Sequence, residues 1–292
     1  MLHYEGDLYR PPSEADSLIL QATIGCSWNR CTFCAMYRDK KFRVRKLDEL
    51  QAEIDWVRNQ GLTPRKVFLA DGDALMARAG FLEDLLDRLR AAWPELRRVS
   101  CYASPQALNV RSVEEMARLR DKGLSLYYLG IESGDDQVLA ALDKGVDGAE
   151  MIRVASKAQD AGVKLSTMIL LGAGGRARSR EHAEASARIV NAIQPRFVST
   201  LVMTPVDGTP LAEADARGEV EHLDPVELAA ELRTFLGGLA LDGTVFRSNH
   251  ASNWLALAGT LPKDQPALLA ALDRVLEDPQ HAPFRPAWLR AL

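Results

Sequence analysis

Three of the four cysteines in this 292-residue chain lie close together, at Cys26, Cys31 and Cys34. Closely spaced cysteines are typical of metal or cluster ligation, whereas a disulfide framework spreads its cysteines along the sequence. Three thiolates on one short loop can hold three irons of a [4Fe–4S] cluster and leave the fourth iron open to another ligand. A zinc site is the alternative, but every histidine lies far from this loop in the sequence. The spacing therefore favours an iron–sulfur cluster.

The chain around this loop alternates short β-branched or aromatic runs with amphipathic helical stretches, which predicts repeated βα units. Consecutive βα units require parallel strands with right-handed crossovers. The fold class predicted is α/β: a partial (β/α)6 TIM-like barrel over residues 1–210, with a small C-terminal helical extension over residues 211–292 packed on the same domain. The predicted barrel strands are Leu18–Ile24, Lys66–Ala70, Arg98–Tyr102, Ser125–Ile131, Lys164–Leu170 and Arg196–Met203. Helices are predicted near 47–60, 80–92, 112–122, 135–161, 180–193, 225–236 and 266–277, with a further strand at Thr244–Arg247.

Polar and glycine residues follow almost every predicted strand. The carboxyl ends of the strands form the active site in parallel βα barrels, so we expect these segments to meet at one functional site. Cys101 lies inside a predicted strand instead, and we expect a buried thiol there. The strand-end segments are the cysteine loop, Asp71-Gly72-Asp73, Ser104-Pro105-Gln106, Glu132-Ser133-Gly134, Gly172-Ala173-Gly174-Gly175 and Thr204-Pro205.

The stretch from Tyr128 to Gly145, with its Gly-Ile-Glu-Ser and later Lys-Gly, combines with the three clustered cysteines into a specific pattern. The chain resembles the radical SAM superfamily, in the branch of Elp3, the MiaB-type methylthiotransferases and the HemN-type coproporphyrinogen dehydrogenases. The resemblance covers roughly residues 18–210, consistent with one βα barrel. It implies an oxygen-sensitive enzyme that binds a [4Fe–4S] cluster and S-adenosylmethionine. It also implies reductive cleavage of S-adenosylmethionine to a 5′-deoxyadenosyl radical, which abstracts hydrogen from an unknown substrate.

The resemblance also implies roles for individual residues. Cys26, Cys31 and Cys34 match the family's cluster ligands. Each other assignment has a structural alternative, since acidic residues after a strand can cap a helix, a lysine can lie at a helix C-terminus, and glycines are common in turns. The cofactor-binding set that the resemblance implies is Phe33 beside the adenine, Asp71, Gly72 and Asp73 at the methionine ammonium, Glu132 with Ser133 at the ribose, Lys144 at the methionine carboxylate, and Gly172 and Gly174 under the adenine.

Three features depart from the family pattern. Four residues separate Cys26 from Cys31, where the family has three, and this leaves the geometry of the loop open. The second strand ends in Asp-Gly-Asp where the family commonly has Gly-Gly-Glu, so the shorter Asp73 needs a different approach to the ammonium. Met168 stands where some relatives carry an acidic residue.

Composition limits the partners of this chain. Lys and Arg total 36 against 40 Asp and Glu, giving a net charge of -4 and a pI of about 5.8, so nucleic-acid binding is not indicated. No apolar run reaches the length of a membrane span and the N-terminus has no signal pattern, so we expect a cytoplasmic protein without a membrane partner. Only Cys101 remains for a second cluster, so we expect no methylthiotransferase activity.

Two further segments are candidates for contacts with a substrate or a partner. Arg247, Asn249, His250 and Asn253 lie in a segment rich in donors and acceptors, and are either substrate contacts or surface groups at a capped helix start. The basic run 40–45 is either a solvated face or a docking patch for an acidic reductant such as flavodoxin or ferredoxin. The alternative function is a non-catalytic iron–sulfur or zinc protein that acts as carrier, sensor or scaffold.

Overall fold

The computed structural model describes residues 1–290, and strands and helices alternate along the chain. The strands are β1 (Leu18–Gln21), β2 (Thr23–Ile24), β3 (Arg43–Val44), β4 (Lys66–Ala70), β5 (Arg98–Tyr102), β6 (Leu124–Glu132), β7 (Lys164–Leu171), β8 (Phe197–Val202), β9 (Thr244–Ser248) and β10 (Leu257–Leu261). The α-helices are α1 (Leu47–Asn59), α2 (Ala79–Ala92), α3 (Pro105–Val110), α4 (Val113–Asp121), α5 (Asp136–Ala141), α6 (Gly148–Asp160), α7 (Gly175–Ile193), α8 (Pro210–Ala216), α9 (Pro225–Gly237) and α10 (Gln265–Glu277). Short 3-10 turns lie at Pro12–Glu14, Ala74–Met76, Pro279–His281 and Ala287–Leu289.

Eight strands form one sheet in the order β1-β4-β5-β6-β7-β8-β9-β10, and β2 pairs with β3 in a separate ribbon. The pairs β1–β4, β4–β5, β5–β6, β7–β8 and β8–β9 are parallel, whereas β10 is antiparallel to β9. The predicted α/β fold is confirmed, and the arrangement is that of a partial TIM-like barrel. Over residues 1–290 the sheet is not a closed barrel, because β1 and β10 end the strand order.

The chain folds into two compact units, each built from separate stretches of sequence. Unit 1 comprises Met1–Asn29, Met36–Leu129 and Val154–Leu165. Unit 2 comprises Arg30–Ala35, Gly130–Arg153 and Ser166–Leu292. The expected division after residue 210 remains a prediction.

Unit 1 has an apolar core between its strands and helices. Val67 to Ala70 of β4 are fully buried, as expected for a parallel strand covered on both faces. The predicted stripe of α1 is confirmed, since Leu50, Ile54 and Val57 are buried. On α2 the buried positions are all leucines, and a fully buried leucine contributes about 2 kcal/mol to folding. These are Leu82, Leu85, Leu86 and Leu89.

Unit 2 has strands with one covered and one more open face. Along β8 the residues alternate between half-buried and buried, which is the period expected of a strand covered on one side. On α7 the buried positions include His182 and Ser186 among alanines and branched aliphatic residues. Polar groups therefore lie inside this unit and need partners there.

The helix boundaries differ from the sequence prediction in several places. The helix expected over 135–161 is divided into α5 and α6, because Asp143 and Gly145 adopt left-handed backbone conformations with φ of 46° and 75°. Helix α7 begins at Gly175, five residues before the predicted 180, and the short α3, α8 and β10 were not predicted. None of the helices within residues 1–290 has the length and apolar character required to cross a membrane.

Candidate functional site

Asp71 anchors the start of the cysteine loop in unit 1. Its buried Oδ2 accepts hydrogen bonds from the backbone N–H of Gly25 at 3.0 Å, from Gln21 Nε2 at 3.0 Å and from Lys40 Nζ at 3.2 Å. The lysine and the carboxylate form an ion pair whose side chains are 4% and 0% exposed. Because Gly25 directly precedes Cys26, Asp71 fixes the backbone where the loop begins.

Asp73 ties the same loop to the segment after β5. It is fully buried, and it accepts hydrogen bonds from the hydroxyl of Ser27 and from the N–H and hydroxyl of Ser104, the latter two at 3.1 and 2.7 Å. Burial raises the pKa of Asp73, and the hydrogen bonds from the two serines oppose that rise. Its carboxylate is therefore held by protein donors, and its role toward a methionine ammonium remains a prediction.

Gly72 allows the close approach of two parts of unit 1. Its N–H donates to Gly25 O at 3.1 Å. A Cβ atom at this position would lie 2.4 Å from Cε2 of Tyr37 and 3.1 Å from Cβ of Cys26. A side chain at residue 72 would thus displace the aromatic ring or the first cysteine, which explains the glycine.

Cys31 and Cys34 lie in unit 2, on the segment Arg30–Ala35. The N–H of Thr32 donates to Leu142 O at 3.0 Å, and its hydroxyl donates to Ala141 O at 3.2 Å. Arg30 forms an ion pair of 3.1 Å with Asp143. These contacts fix the segment to the loop between α5 and α6, which is the loop that carries Lys144.

Glu132 and Lys144 form a buried ion pair of 2.9 Å at the end of β6. Glu132 has φ of 67°, an uncommon left-handed conformation for a residue with a side chain, and such strain is frequent at functional sites. A Cβ atom on Gly130 would lie 1.9 Å from Oε1 of Glu132 and 3.0 Å from Nζ of Lys144. Glycine at 130 is therefore what leaves room for the pair.

The same lysine acts on the second cysteine. Burial raises the pKa of the Cys31 thiol, and the positive charge of Lys144 opposes that rise. The charges of Glu132 and Cys34 raise the pKa of the Cys31 thiol further. Unit 2 thus brings two of the predicted cluster ligands, the predicted ribose acceptor and the predicted carboxylate partner into one electrostatic environment.

The donor set fits an iron–sulfur cluster in its chemistry. Cys26, Cys31 and Cys34 form no disulfide and are half-buried. In the described part of the chain, no group of three or more His, Cys, Asp or Glu side chains is already arranged as a metal site. Ligation by the three cysteines therefore remains a prediction. Cys101 is fully buried in β5, and burial raises the pKa of its thiol far above the ordinary range, as expected for a structural cysteine.

A buried polar network in unit 2 was not predicted from the sequence. The hydroxyl of Ser133 lies 2.7 Å from Nδ1 of His182, and Nε2 of His182 lies 3.7 Å from Oε1 of Glu231. Burial lowers the pKa of His182 to about 4, so the imidazole is neutral and the contact with Glu231 is not an ion pair. The available signal was the spacing of Ser179, His182 and Ser186, which places polar residues along the buried face of α7.

Glu231 holds the glycine turn after β7. Its Oε1 accepts the N–H of Gly172 at 2.6 Å, and its Oε2 accepts the hydroxyl of Ser179 at 2.6 Å. Burial raises the pKa of Glu231 to about 7. Gly172 has φ of 81°, which favours glycine, and a Cβ on Gly174 would lie 2.9 Å from the backbone oxygen of Arg178. Phe33, on the cysteine segment of unit 2, is half-buried.

The four candidate substrate residues near the C-terminus differ in their surroundings. Asn253 is buried and donates to Thr200 O at 2.7 Å, and Nδ1 of His250 lies 2.9 Å from Oγ of Ser252. Asn249 is exposed. Arg247 is also exposed, and its guanidinium contacts only backbone carbonyl groups among residues 1–290.

The basic run 40–45 is not one solvated face. Lys40 and Arg45 are buried and paired with Asp71 and Glu53 respectively, the second pair at 2.9 Å. Arg43 is half-exposed and paired with Glu5. Two of the run's charges therefore stabilise unit 1 from inside, and its role in docking a reductant remains a prediction.

Comparison with known sequences gives a family match over more than half of the chain. The radical SAM superfamily matches residues 20–185. An uncharacterized protein of Methanocaldococcus jannaschii is 21% identical over 229 residues, which cover 74% of this chain and 70% of the relative. A tRNA-2-methylthio-N(6)-dimethylallyladenosine synthase of Aromatoleum aromaticum is 26% identical over 237 residues, 76% of this chain and 50% of the relative. The chain thus spans half the length of that synthase.

Comparison with solved structures gives the same fold. Methylornithine synthase (PylB) superposes with a TM-score of 0.53 at 16% sequence identity, covering 78% of this chain and 64% of that chain. At this level of identity the likeness shows the fold alone.

Proposed function

Since this chain belongs to the radical SAM superfamily, we propose that Cys26, Cys31 and Cys34 hold its cluster and that it cleaves S-adenosylmethionine to abstract hydrogen from a substrate. The chain is a radical SAM enzyme, and its cofactors are the [4Fe–4S] cluster and S-adenosylmethionine. When bound, the reduced cluster supplies the electron that cleaves the carbon–sulfur bond of S-adenosylmethionine and gives a 5′-deoxyadenosyl radical.

One observation carries the assignment of the residues. The segment with Cys31 and Cys34 is hydrogen-bonded, through Thr32, to the loop that presents Lys144 beside Glu132. A chain that only stored or carried a cluster would not need a buried carboxylate and ammonium next to its thiols. An enzyme that binds an amino-acid nucleoside needs both charges, one for the ribose hydroxyls and one for the methionine carboxylate.

Different residues of this chain bind different parts of S-adenosylmethionine. In unit 2, Glu132 accepts one hydrogen bond among residues 1–290, from Lys144, and keeps acceptor capacity for two ribose hydroxyls. Lys144 offers its charge to the methionine carboxylate. Gly172 and Gly174 present backbone close to the adenine, with Phe33 as the aromatic neighbour.

In unit 1, Asp73 binds the ammonium group of the methionine part. As a buried carboxylate with acceptor capacity beyond its three serine hydrogen bonds, it receives the methionine ammonium. Asp71 and Gly72 support it by fixing the turn and the first cysteine. Burial of these groups excludes water, which strengthens each charged hydrogen bond.

The one cysteine outside the loop, Cys101, is buried within β5, so no cysteine remains for a second cluster. We therefore do not propose for this chain the reaction named for the Aromatoleum synthase. We further propose a cytoplasmic location, where a flavodoxin or ferredoxin supplies the electron. A small molecule is the simplest substrate for this chain.

The first experiment is anaerobic reconstitution with iron and sulfide. We expect about four irons per chain and an EPR signal of the reduced protein that changes when S-adenosylmethionine is added. Cys31→Ala should lose most of the iron, whereas Cys101→Ala, which removes a buried thiol outside the loop, should keep it. Zinc in place of iron, with no response to S-adenosylmethionine, would contradict the proposal. Equal iron in both variants would contradict the ligand assignment.

A further inference from the structure

Three strands of unit 2 present a row of side chains on one face of the sheet. The parallel register pairs Met168 of β7 with Ser199 of β8, and Ser199 with Arg247 of β9. Side chains in register on neighbouring strands point to the same face, and the strands are about 4.8 Å apart. The side chains therefore form one row across the three strands, in the order Met168, Ser199 and Arg247.

This row lies on the more open face of the strands. Val202 of β8 and Ser248 of β9 are buried and line one small cavity together with Leu232 of α9, so their face is the one covered by helix. Ser199 and Arg247 are an odd number of residues away from them along the same strands, which places both on the opposite face. There Ser199 is half-buried and Arg247 is exposed.

The charge of Arg247 is not neutralised within the part of the chain that the structure describes. Its Nη1 donates to Phe246 O at 2.7 Å and to Gly259 O at 3.3 Å, and no carboxylate of residues 1–290 forms an ion pair with it. The guanidinium carries five N–H donors, so most of them remain for a ligand. Several other arginines of unit 2 have acidic partners, among them Arg176 with Glu227, Arg178 with Asp135, Arg180 with Glu184, and Arg233 with Asp273, whereas Arg188 on α7 has none among residues 1–290.

We propose that Arg247, with the hydroxyl of Ser199 beside it, binds an anionic oxygen group of the substrate, a carboxylate or a phosphate. This inference rests on the proposed function, because it assigns the substrate class of the same enzyme. The planar guanidinium matches two oxygens of such a group at once. The Ser199 hydroxyl, which donates to Thr167 O at 3.2 Å, turns to donate a third hydrogen bond. Met168 borders the site with an apolar side chain.

Arg247 differs from the other candidate substrate residues near the C-terminus. Asn253 donates to Thr200 O of β8, and His250 forms a hydrogen bond with Ser252 of its own segment. Arg247 combines exposure, an uncompensated charge and a neighbouring hydroxyl in register. It is therefore the residue that selects a negatively charged substrate.

The test is the rate at which phenylglyoxal modifies Arg247 in the full chain, followed by peptide mass spectrometry. The probes are inorganic phosphate and succinate, each compared with chloride at the same ionic strength. If the site binds an anion with a Kd of about 1 mM, roughly 10 mM of the probe fills nine tenths of it and slows modification about tenfold. Arg188, an exposed arginine of α7 with no ion pair among residues 1–290, is the control and should react at an unchanged rate.

The outcomes separate the two kinds of anion. Protection by phosphate alone supports a phosphate-bearing substrate, protection by succinate alone supports a carboxylate, and protection by both supports an anion site open to either. Equal modification of Arg247 with and without both anions, or equal protection of Arg188, overturns the inference.

Two variants sharpen the result. Ser199→Ala should raise the anion concentration for half-protection of Arg247 about fivefold, through loss of one hydrogen bond. Thr200→Val, which changes the next residue on the opposite face of β8, should leave it unchanged. The footprint does not depend on cluster chemistry. A chain that fails to bind iron but shows protection therefore contradicts the proposed function, while the anion site at Arg247 stands and its assignment to the substrate falls.

Discussion

Asp71 in unit 1 and Glu132 in unit 2 are both buried carboxylates paired to a lysine, yet they are built for different tasks. Asp71 Oδ2 accepts Lys40 at 3.2 Å and, in addition, the N–H of Gly25 and the amide of Gln21. Glu132 accepts only Lys144, at 2.9 Å, within the described residues. The charge of the partner is the same in both cases, so the number of further protein donors makes the difference. Three donors on Oδ2 fix Asp71 against the backbone, although its Oδ1 is buried without a hydrogen-bond partner among residues 1–290. Glu132, with a single donor, keeps acceptor capacity for a ligand.

The largest effect should come from removing the charge of the crowded carboxylate. Asp71→Asn leaves Lys40 buried without a counter-charge, and we expect the free energy of unfolding to fall by about 3 kcal/mol. Urea denaturation followed by circular dichroism measures it. Asp55→Asn is the control, since Asp55 is half-exposed and its contact with Arg58 is 3.7 Å long. That variant should change stability by about 0.5 kcal/mol or less. Equal losses of unfolding free energy in the two variants would show that Asp71 stabilises the fold no more than the half-exposed Asp55 does.

Glu231 is a third buried carboxylate, and within residues 1–290 it forms no ion pair with a lysine or an arginine. Burial raises its pKa from 4.5 to about 7. A raised pKa in the folded state favours the protonated acid, so this contribution to stability is complete below pH 4.5 and is lost as the pH rises through about 7. Glu231→Gln keeps an acceptor for Gly172 and removes the titration.

The variant should therefore gain stability relative to the unmodified chain as the pH rises. The shift of about 2.5 pKa units corresponds to a relative gain of about 3 kcal/mol between pH 4.5 and pH 8. Urea unfolding at several pH values measures the difference between the two proteins. A constant difference across this range would show that Glu231 is ionised throughout.

The smallest of the three effects should be on ligand binding at the carboxylate with one donor. Glu132→Gln weakens the charged hydrogen bonds to the ribose hydroxyls, and we expect S-adenosylmethionine to bind about tenfold more weakly. The iron content should stay the same, because the variant leaves the three cysteines in place. Calorimetric titration of the reconstituted, folded protein measures the affinity. Glu184→Gln, on an exposed pair with Arg180, is the matched control and should bind normally. Unchanged affinity in Glu132→Gln would remove the ribose assignment.

Much of the fold could be read from local sequence. Five of the six predicted barrel strands are confirmed, because each is a short β-branched or aromatic run bounded by glycine or polar residues. The first, predicted over Leu18–Ile24, ends at Gln21 in the main sheet, and Thr23–Ile24 pair with β3 instead. Gly61, Gly123 and Gly162 follow predicted helices and have positive φ, as a left-handed helix end requires. The strand β10 was missed because its sequence contains Gly259 and lacks clear alternation, so its existence depends on antiparallel pairing with β9.

The sequence predicted the residues of the site but not the contacts between them. The sequence placed Glu132 and Lys144 twelve residues apart and predicted one continuous helix from 135 to 161. The structure breaks that helix at Asp143 and Gly145, and the break turns Lys144 back toward Glu132. The contact of Ser133 with His182 spans 49 residues, so no local pattern could reveal it.

The sequence by itself determined the chemical groups of the site, because residue type and short-range spacing decide which side chains can bind a metal, cap a helix or allow a left-handed turn. These groups are three thiols on one loop, carboxylates after strands, and glycines at positions of positive φ. Only the tertiary structure decided that Asp71 accepts three protein donors on one oxygen and that Glu132 accepts one donor. It also decided that Lys40 and Arg45 lie inside unit 1, and that Arg247 stands beside Ser199 without an acidic partner among residues 1–290. These properties depend on contacts between residues far apart in the chain, and their free energies depend on burial, which the order of the residues does not contain.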